Sequence, residues 1–346
     1  MPATNGQGRM SEGLHMESVV SFPWTGEQYT RLIRSFLESL GVNVRLPPPI
    51  TDRTIKLGTR HSPDMICFPY KVTLGSMIEA LEQGTDILLM HDNYGQCRQR
   101  HYWKIQEMTL RDLGYRFQMW PISRRTFFPS LRRLTGKSHM AIWRAYREYV
   151  ASVEAIDARQ TRWAEDRLNI AFLGEIYTCF EETINNNLAG KLRELGVNPY
   201  AGITLTEIAH TTYAFGWRSI PRSILKLARP GGFDPLSPGA GSARFAREAQ
   251  SYLNGPIGGH AYENICQLLW LRDRGVDGVI HLLPLSCMPE TMIEPIINRI
   301  CQQGGIPMLR LPIDETNSQA NFETRIETFV ELIKRKGKRN EMVARH

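Results

Sequence analysis

The feature that most constrains this chain is a junction that recurs six times: an amphipathic stretch ends in glycine, and a short apolar, β-prone run follows at once. It stands at Leu40-Gly41-Val42, Leu113-Gly114-Tyr115, Leu195-Gly196-Val197 and Arg274-Gly275-Val276, with looser versions at Gln83-Gly84-Thr85 and Gly304-Gly305-Ile306. Glycine just past a helix end takes the left-handed cap that other residues resist. Six such junctions predict alternating α/β structure and exclude all-α and all-β folds. The stretches before the glycines have helical period: Tyr29, Leu32, Ile33, Phe36, Leu37 and Leu40 form one stripe, and Ile184, Leu188, Leu192 and Leu195 another. Strands are expected at 19–22, 44–46, 87–90, 117–120, 170–173, 279–283 and 308–311. These runs lack polar alternation, which suits parallel strands covered on both faces.

Between 123 and 167 strand signals vanish and Arg, Trp and Tyr become dense, so the segment reads as a helical insert. The Pro- and Gly-rich stretch 230–241 reads as a loop. A length of 346 residues suits two to three compact lobes. The expected division is an N-terminal extension (1–16), a first α/β lobe (17–122), the insert (123–167), a second α/β lobe (168–334) and a basic tail (335–346). No apolar run approaches the length of a membrane span and the first residues carry no apolar signal core, so a cytoplasmic location is expected. The net charge of +7 is modest for this length. Its densest patches, 334–339 and the group around Arg124, Arg125, Arg132, Arg133 and Lys137, carry no aromatic-interleaved recognition motif, so nucleic acid is not the expected partner.

Six cysteines are too few for a disulfide scaffold. Cys67, Cys97 and Cys287 are expected in loops that follow strands and open helices, where α/β proteins place their chemistry. A helix N-terminus favours thiolate, the metal-ligating form, and prolines two residues after Cys67 and Cys287 suit a first helical turn. Cys179, Cys266 and Cys301 read instead as small buried hydrophobes on helices. Three converging thiolates can hold a four-iron cluster with one iron open, or zinc with an open fourth position; reduced, buried thiols are the plain alternative.

Whole phrases then become recognisable. Pro47-Pro48-Pro49-Ile50-Thr51 with Thr54 and Gly58, Cys67-Phe68-Pro69-Tyr70-Lys71, Gly95-Gln96-Cys97-Arg98, Gly174-Glu175-Ile176-Tyr177, Gly258-Gly259-His260 and Cys287-Met288-Pro289-Glu290 are in sequence order. Together they resemble the acyl-CoA dehydratase activase-related, or CoA protein activase, family. That family is similar in turn to the iron-sulfur D-component subunits of 2-hydroxyacyl-CoA dehydratases and benzoyl-CoA reductases. The resemblance spans about residues 17–334. It implies two flavodoxin-like (Rossmann-like) parallel-sheet lobes with a helical addition, enclosing a 4Fe-4S cluster held by Cys67, Cys97 and Cys287. It further implies a separate ATP-dependent activator as partner, a homologous subunit, and low-potential electron transfer to a CoA thioester in anaerobic metabolism. The chain would then be a dehydratase-like lyase or a reductase component. It carries no phosphate-binding GxxxxGK[ST] loop, so ATP hydrolysis is not expected of it.

Three further residues are candidates for catalysis. Lys71, a helical turn after Cys67, could pair with a thiolate or a substrate phosphate, or be a solvated lysine. Glu175 could transfer protons or cap the next helix. His260 could meet an anion or act as acid or base, or simply pack. His281 reads as core, and Asp314 and Glu315 as the end of a strand and the cap of the last helix. The alternatives to a dehydratase-type component are a non-catalytic cluster carrier or assembly protein, a zinc-binding structural protein, and nucleic-acid binding through the tail.

Overall fold

The computed structural model describes residues 18–92, 97–123, 126–206, 243–254, 257–316 and 319–344, without the side chains of 243 and 337–344. The N-terminal extension (1–16) with residue 17, Arg124, Arg125, residues 95 and 96 of the second cysteine phrase, the loop expected at 230–241 and residues 345 and 346 of the basic tail lie outside the described residues.

In chain order the elements are β1 (Val20–Ser21), α1 (Glu27–Ser39), α2 (Asp52–His61), α3 (Phe68–Glu82), β2 (Ile87–His91), a 3-10 turn (Arg98–His101), α4 (Tyr102–Asp112), β3 (Gln118–Ile122), α5 (Phe127–Thr135) and α6 (His139–Gln160). There follow β4 (Asn169–Gly174), α7 (Ile176–Phe180), α8 (Leu188–Glu194), β5 (Asn198–Ala201), α9 (Ala243–Tyr252), α10 (Ala261–Asp273), β6 (Gly278–Pro284), α11 (Met288–Gln303), β7 (Met308–Ile313) and α12 (Gln319–Ala344). The six junction glycines all have left-handed φ, between +63° and +90°. Five of them turn a helix into a named strand.

Two parallel sheets result, β1-β2-β3 and β5-β4-β6-β7. The run expected as a strand at 44–46 makes only a single parallel bridge, Val20 to Val44. Pro47, Pro48 and Pro49 follow it, and a residue without an N–H cannot extend a ladder. If Val44 is counted as a one-residue strand, both sheets run second, first, third, fourth in chain order. That is the doubly wound order expected of flavodoxin-like lobes. The segment between the sheets is helical, as the sequence indicates.

The lobes share a core. Trp24, Tyr29, Phe68 and Val72 of the first lobe join one buried cluster with Phe172, Ile176, Tyr177, Phe180 and Leu311 of the second. Polar contacts reinforce it: the Tyr177 hydroxyl donates to Trp24 O at 2.8 Å, and the Glu181 carboxylate accepts from the Gly26 N–H at 2.6 Å. Helix α3 is buried on every face from Phe68 to Leu81, as a helix without a polar side must be. Lys71 pairs with Glu315, Thr73 with Pro69 O, Ser76 with the Trp24 N–H, and Glu79 with Arg53 and Thr54. Helices α2 and α3 cross at Gly58 and Gly75, where the backbones touch; an added Cβ on Gly58 would lie 1.7 Å from Lys71 O. Among the described residues no helix is long and apolar enough to cross a membrane.

Candidate functional site

Each of the three singled-out cysteines is the extended residue immediately before a helical turn: Cys67 before α3, Cys97 before the 3-10 turn and Cys287 before α11. Pro69 and Pro289 occupy the same place in the first turns of α3 and α11. Cys97 and Cys287 lie beyond the carboxyl ends of β2 and β6, the third strands of their sheets. Cys67 departs from the expectation, because its loop joins α2 to α3 and follows no strand.

The loops that carry them meet. The Phe68 N–H donates to Leu285 O at 3.3 Å, so the residue after Cys67 touches the loop of Cys287. Cys97 Sγ lies 3.9 Å from where a Cβ on Gly259 would sit, and Pro289 is 3.0 Å from the same point. Arg98 reaches the carbonyls of Met65 and Ser286, joining all three loops. Each sulfur has a donor: the Tyr102 hydroxyl contacts Cys67 Sγ, the Gln99 amide faces the Cys97 sulfur and the Glu290 amide faces that of Cys287.

Burial reverses one expectation. Helix N-termini favour thiolate, yet desolvation pushes Cys67 up to about 11 and raises Cys97 and Cys287 as well. The carboxylates of Glu175 and Glu290 nearby add to the rise at Cys287, and the Tyr102 hydrogen bond opposes it at Cys67. Low dielectric outweighs a half-charge at a helix end when the sulfur is cut off from water. Cys179, Cys266 and Cys301 are buried in helices, as read from the sequence.

The other candidates fall as follows. Lys71 is not a solvated lysine: it is buried and ion-paired with Glu315, which follows β7 in the second lobe. Glu315 therefore does not cap the last helix, and its second oxygen is buried without a partner. Asp314 accepts instead from the Thr316 N–H and hydroxyl in a local turn. Glu175 caps α7, accepting from the N–H groups of Tyr177 and Thr178 at 3.1 and 2.9 Å, and burial holds its carboxyl above the usual range. His281 is core, and its Nε2 lies 2.9 Å from Glu290 Oε2. Asn264 donates to the other Glu290 oxygen at 2.9 Å and to Gly174 O at 3.0 Å.

His260 precedes α10, and burial depresses it to about 4; His91, at the end of β2, is lowered to about 4 by burial and by His260. Between the ordinary value of 6.5 and about 4 the unfolded chain binds protons that the folded chain refuses. Stability is thus present above pH 6.5 and lost as pH falls. One such histidine costs up to about 2 kcal/mol at pH 5, less here because both rings are partly exposed. Urea unfolding of the metal-free protein at pH 7 and pH 5 checks this; a midpoint that does not fall at pH 5 would exclude it.

Tyr102, Arg98, Glu290 and His91 were not singled out from the sequence, and Glu315 was read only as a cap. Glu290 alone left a signal, standing three residues after Cys287 at a first-turn position; the others are joined to the site only by the fold. Among the described residues, no three His, Cys, Asp or Glu side chains are close enough together to hold a single metal ion.

Residues 26–92, from the start of α1 to the end of β2, match the CoA enzyme activase uncharacterised domain, and residues 258–333, from the turn before α10 into α12, match the 2-hydroxyglutaryl-CoA dehydratase D-component. Cys67 and Lys71 lie in the first match and His260 and Cys287 in the second; Cys97 and Glu175 lie in neither. No curated protein matches the chain. The two matches bear out the resemblance carried by the motifs: a part of the first lobe is similar to the CoA enzyme activase domain and a part of the second to the 2-hydroxyglutaryl-CoA dehydratase D-component.

Proposed function

We propose that this dehydratase-type component holds a four-iron cluster between its lobes on Cys67, Cys97 and Cys287, and serves low-potential electron transfer to a CoA thioester, driven by a separate ATPase. The observation that carries the reading is the meeting of three cysteine-led helical turns from both lobes. The donor set suits the group. All three donors are sulfur, each has an N–H or O–H donor of its own, and hydrogen bonds to sulfur are a principal control on cluster potential. A four-iron cluster takes each thiolate on a different iron, whereas zinc gathers its ligands on one atom, for which no three side chains are grouped among the described residues.

When bound, such a cluster supplies one-electron chemistry and one iron without a protein ligand. The chain's own residues set its surroundings. Cys67 and Cys287 are buried, which excludes water from two of the three sulfurs. The Glu175 and Glu290 carboxylates act on the thiols as negative charges and oppose the addition of an electron. Lys71 supplies the opposite sign one turn into α3, with Glu315 as the partner that an incoming anion would displace.

Anaerobic purification with iron and acid-labile sulfide analysis tests the reading. Single Ser replacements of Cys67, Cys97 or Cys287 are expected to strip most of the iron, and the same change at Cys179, Cys266 or Cys301 to leave it. Equal loss from both sets would sink the assignment. Stoichiometric zinc in place of iron would turn the reading to a structural metal site, and a cluster unchanged by CoA thioesters would turn it to a non-catalytic carrier.

A further inference from the structure

Arg98 stands directly after Cys97, exposed, at the start of the 3-10 turn. Its guanidinium points at backbone on both sides: Nη1 donates to Met65 O at 3.0 Å, and Nη2 donates to Ser286 O. Met65 precedes Cys67 by two residues and Ser286 precedes Cys287 by one. A single side chain beside one cysteine thus spans the loops of the other two, one in each lobe.

The two accepting residues share an unusual backbone. Among the described residues four non-glycines have positive φ: Asn186 and Asn187, for which that region is tolerated, and Met65 at +58° and Ser286 at +61°. Packing does not explain Met65, whose side chain is mostly exposed (73%). What the conformation achieves in both loops is the presentation of a carbonyl to the same guanidinium. Strain of this kind persists only where the surroundings over-determine it. Arginine suits the task, since its planar fork can serve two acceptors at once and it stays charged; lysine offers a single ammonium centre.

From these contacts we infer that Arg98 is a positioning residue: it clamps the three cysteine loops into one site and holds that site closed before any metal enters. The importance of the clamp to a cluster rests on the function proposed above, but the clamp itself is a property of the metal-free chain. It predicts that the loops of Cys67 and Cys287 open independently of the rest of the fold once the guanidinium is gone.

The test is pulse alkylation of the metal-free protein with N-ethylmaleimide, read at each cysteine by peptide mass spectrometry, in wild type, Arg98→Ala and Arg98→Lys. Cys266 and Cys301, buried in α10 and α11, are the internal controls. In Arg98→Ala, Cys67 and Cys287 are expected to react about tenfold faster, the change that follows loss of charge-assisted hydrogen bonds from a local opening. The controls should be unchanged, and Arg98→Lys should fall between. Unchanged rates at Cys67 and Cys287 overturn the inference. So does a parallel rise at all cysteines in both variants, which would make Arg98 a support of the whole fold. A wild-type protein that takes up no iron yet shows protection dependent on Arg98 would remove the proposed function and keep the clamp; iron held equally well by Arg98→Ala, with unchanged alkylation, would do the reverse.

Discussion

Gly58→Ala is expected to destabilise the chain by at least about 3 kcal/mol, lowering the melting temperature of the unit that contains it by about 6–12 °C. A Cβ at this position would sit 1.7 Å from Lys71 O and 2.6 Å from Lys71 C, and one on Gly75 would sit 1.9 Å from Thr54 O. These neighbours are backbone, so no side chain can rotate away; α2 and α3 would have to move apart. Such a movement shifts Lys71 and Cys67, which ride on the same stretch of α3, and loosens the hold of Arg53 and Thr54 on the buried Glu79 carboxylate. Gly75→Ala should do the same for the reciprocal reason. Thermal unfolding followed by circular dichroism is the check, and a melting temperature within about 2 °C of wild type for both variants would refute the crossing as described.

Glu290→Ala is the second large effect, at about 3 kcal/mol. The carboxylate is 2% exposed and accepts from Asn264 and His281. His281 Nδ1 and Asn264 Oδ1 already lack partners, so removing Glu290 leaves the imidazole with none and Asn264 with only its bond to Gly174 O. Each buried polar group stripped of its partner costs about 1–3 kcal/mol. Glu290→Gln keeps the shape and one acceptor oxygen, so it should lose less than half as much. Urea unfolding of the three proteins decides: equal losses for Ala and Gln would show that bulk rather than hydrogen bonding holds the place. Because the Glu290 amide also faces the Cys287 sulfur, the same variants ask whether the network supports that loop.

The reach of the sequence follows from what each device requires. The glycine junctions were legible because a left-handed cap is a local demand, met by one residue type at one place, and all six have the expected sign of φ. The run at 44–46 failed as a strand for an equally local reason, the three prolines after it. Strand β5 escaped notice because Pro199 interrupts its apolar run, but β5 is at the sheet edge, where a missing donor costs nothing. That Cys67, Cys97 and Cys287 each open a helical turn was legible from the phrases around them. Their acidity was misjudged because burial is a property of the assembled lobes. Lys71 with Glu315 and Tyr102 with Cys67 join residues 244 and 35 positions apart without periodicity or motif, so only the fold brings them together.

The order in which the chain is made has its own consequence for the crevice. Cys67 and Cys97 emerge from the ribosome with the first lobe, whereas the loop of Cys287 follows 190 residues after Cys97 (287 − 97). At about 5–20 residues per second that interval is roughly 10–40 s. During it a nascent chain presents two thiols, an arginine with one of its two carbonyls still unsynthesised, and a helix α3 whose second-lobe face has nothing to cover it. A complete three-sulfur site is therefore a late product of synthesis. Oxidants or chaperones that act on this protein before release would meet an unfinished surface around Cys67 and Cys97, and metal can reach all three sulfurs only once Cys287 has been made.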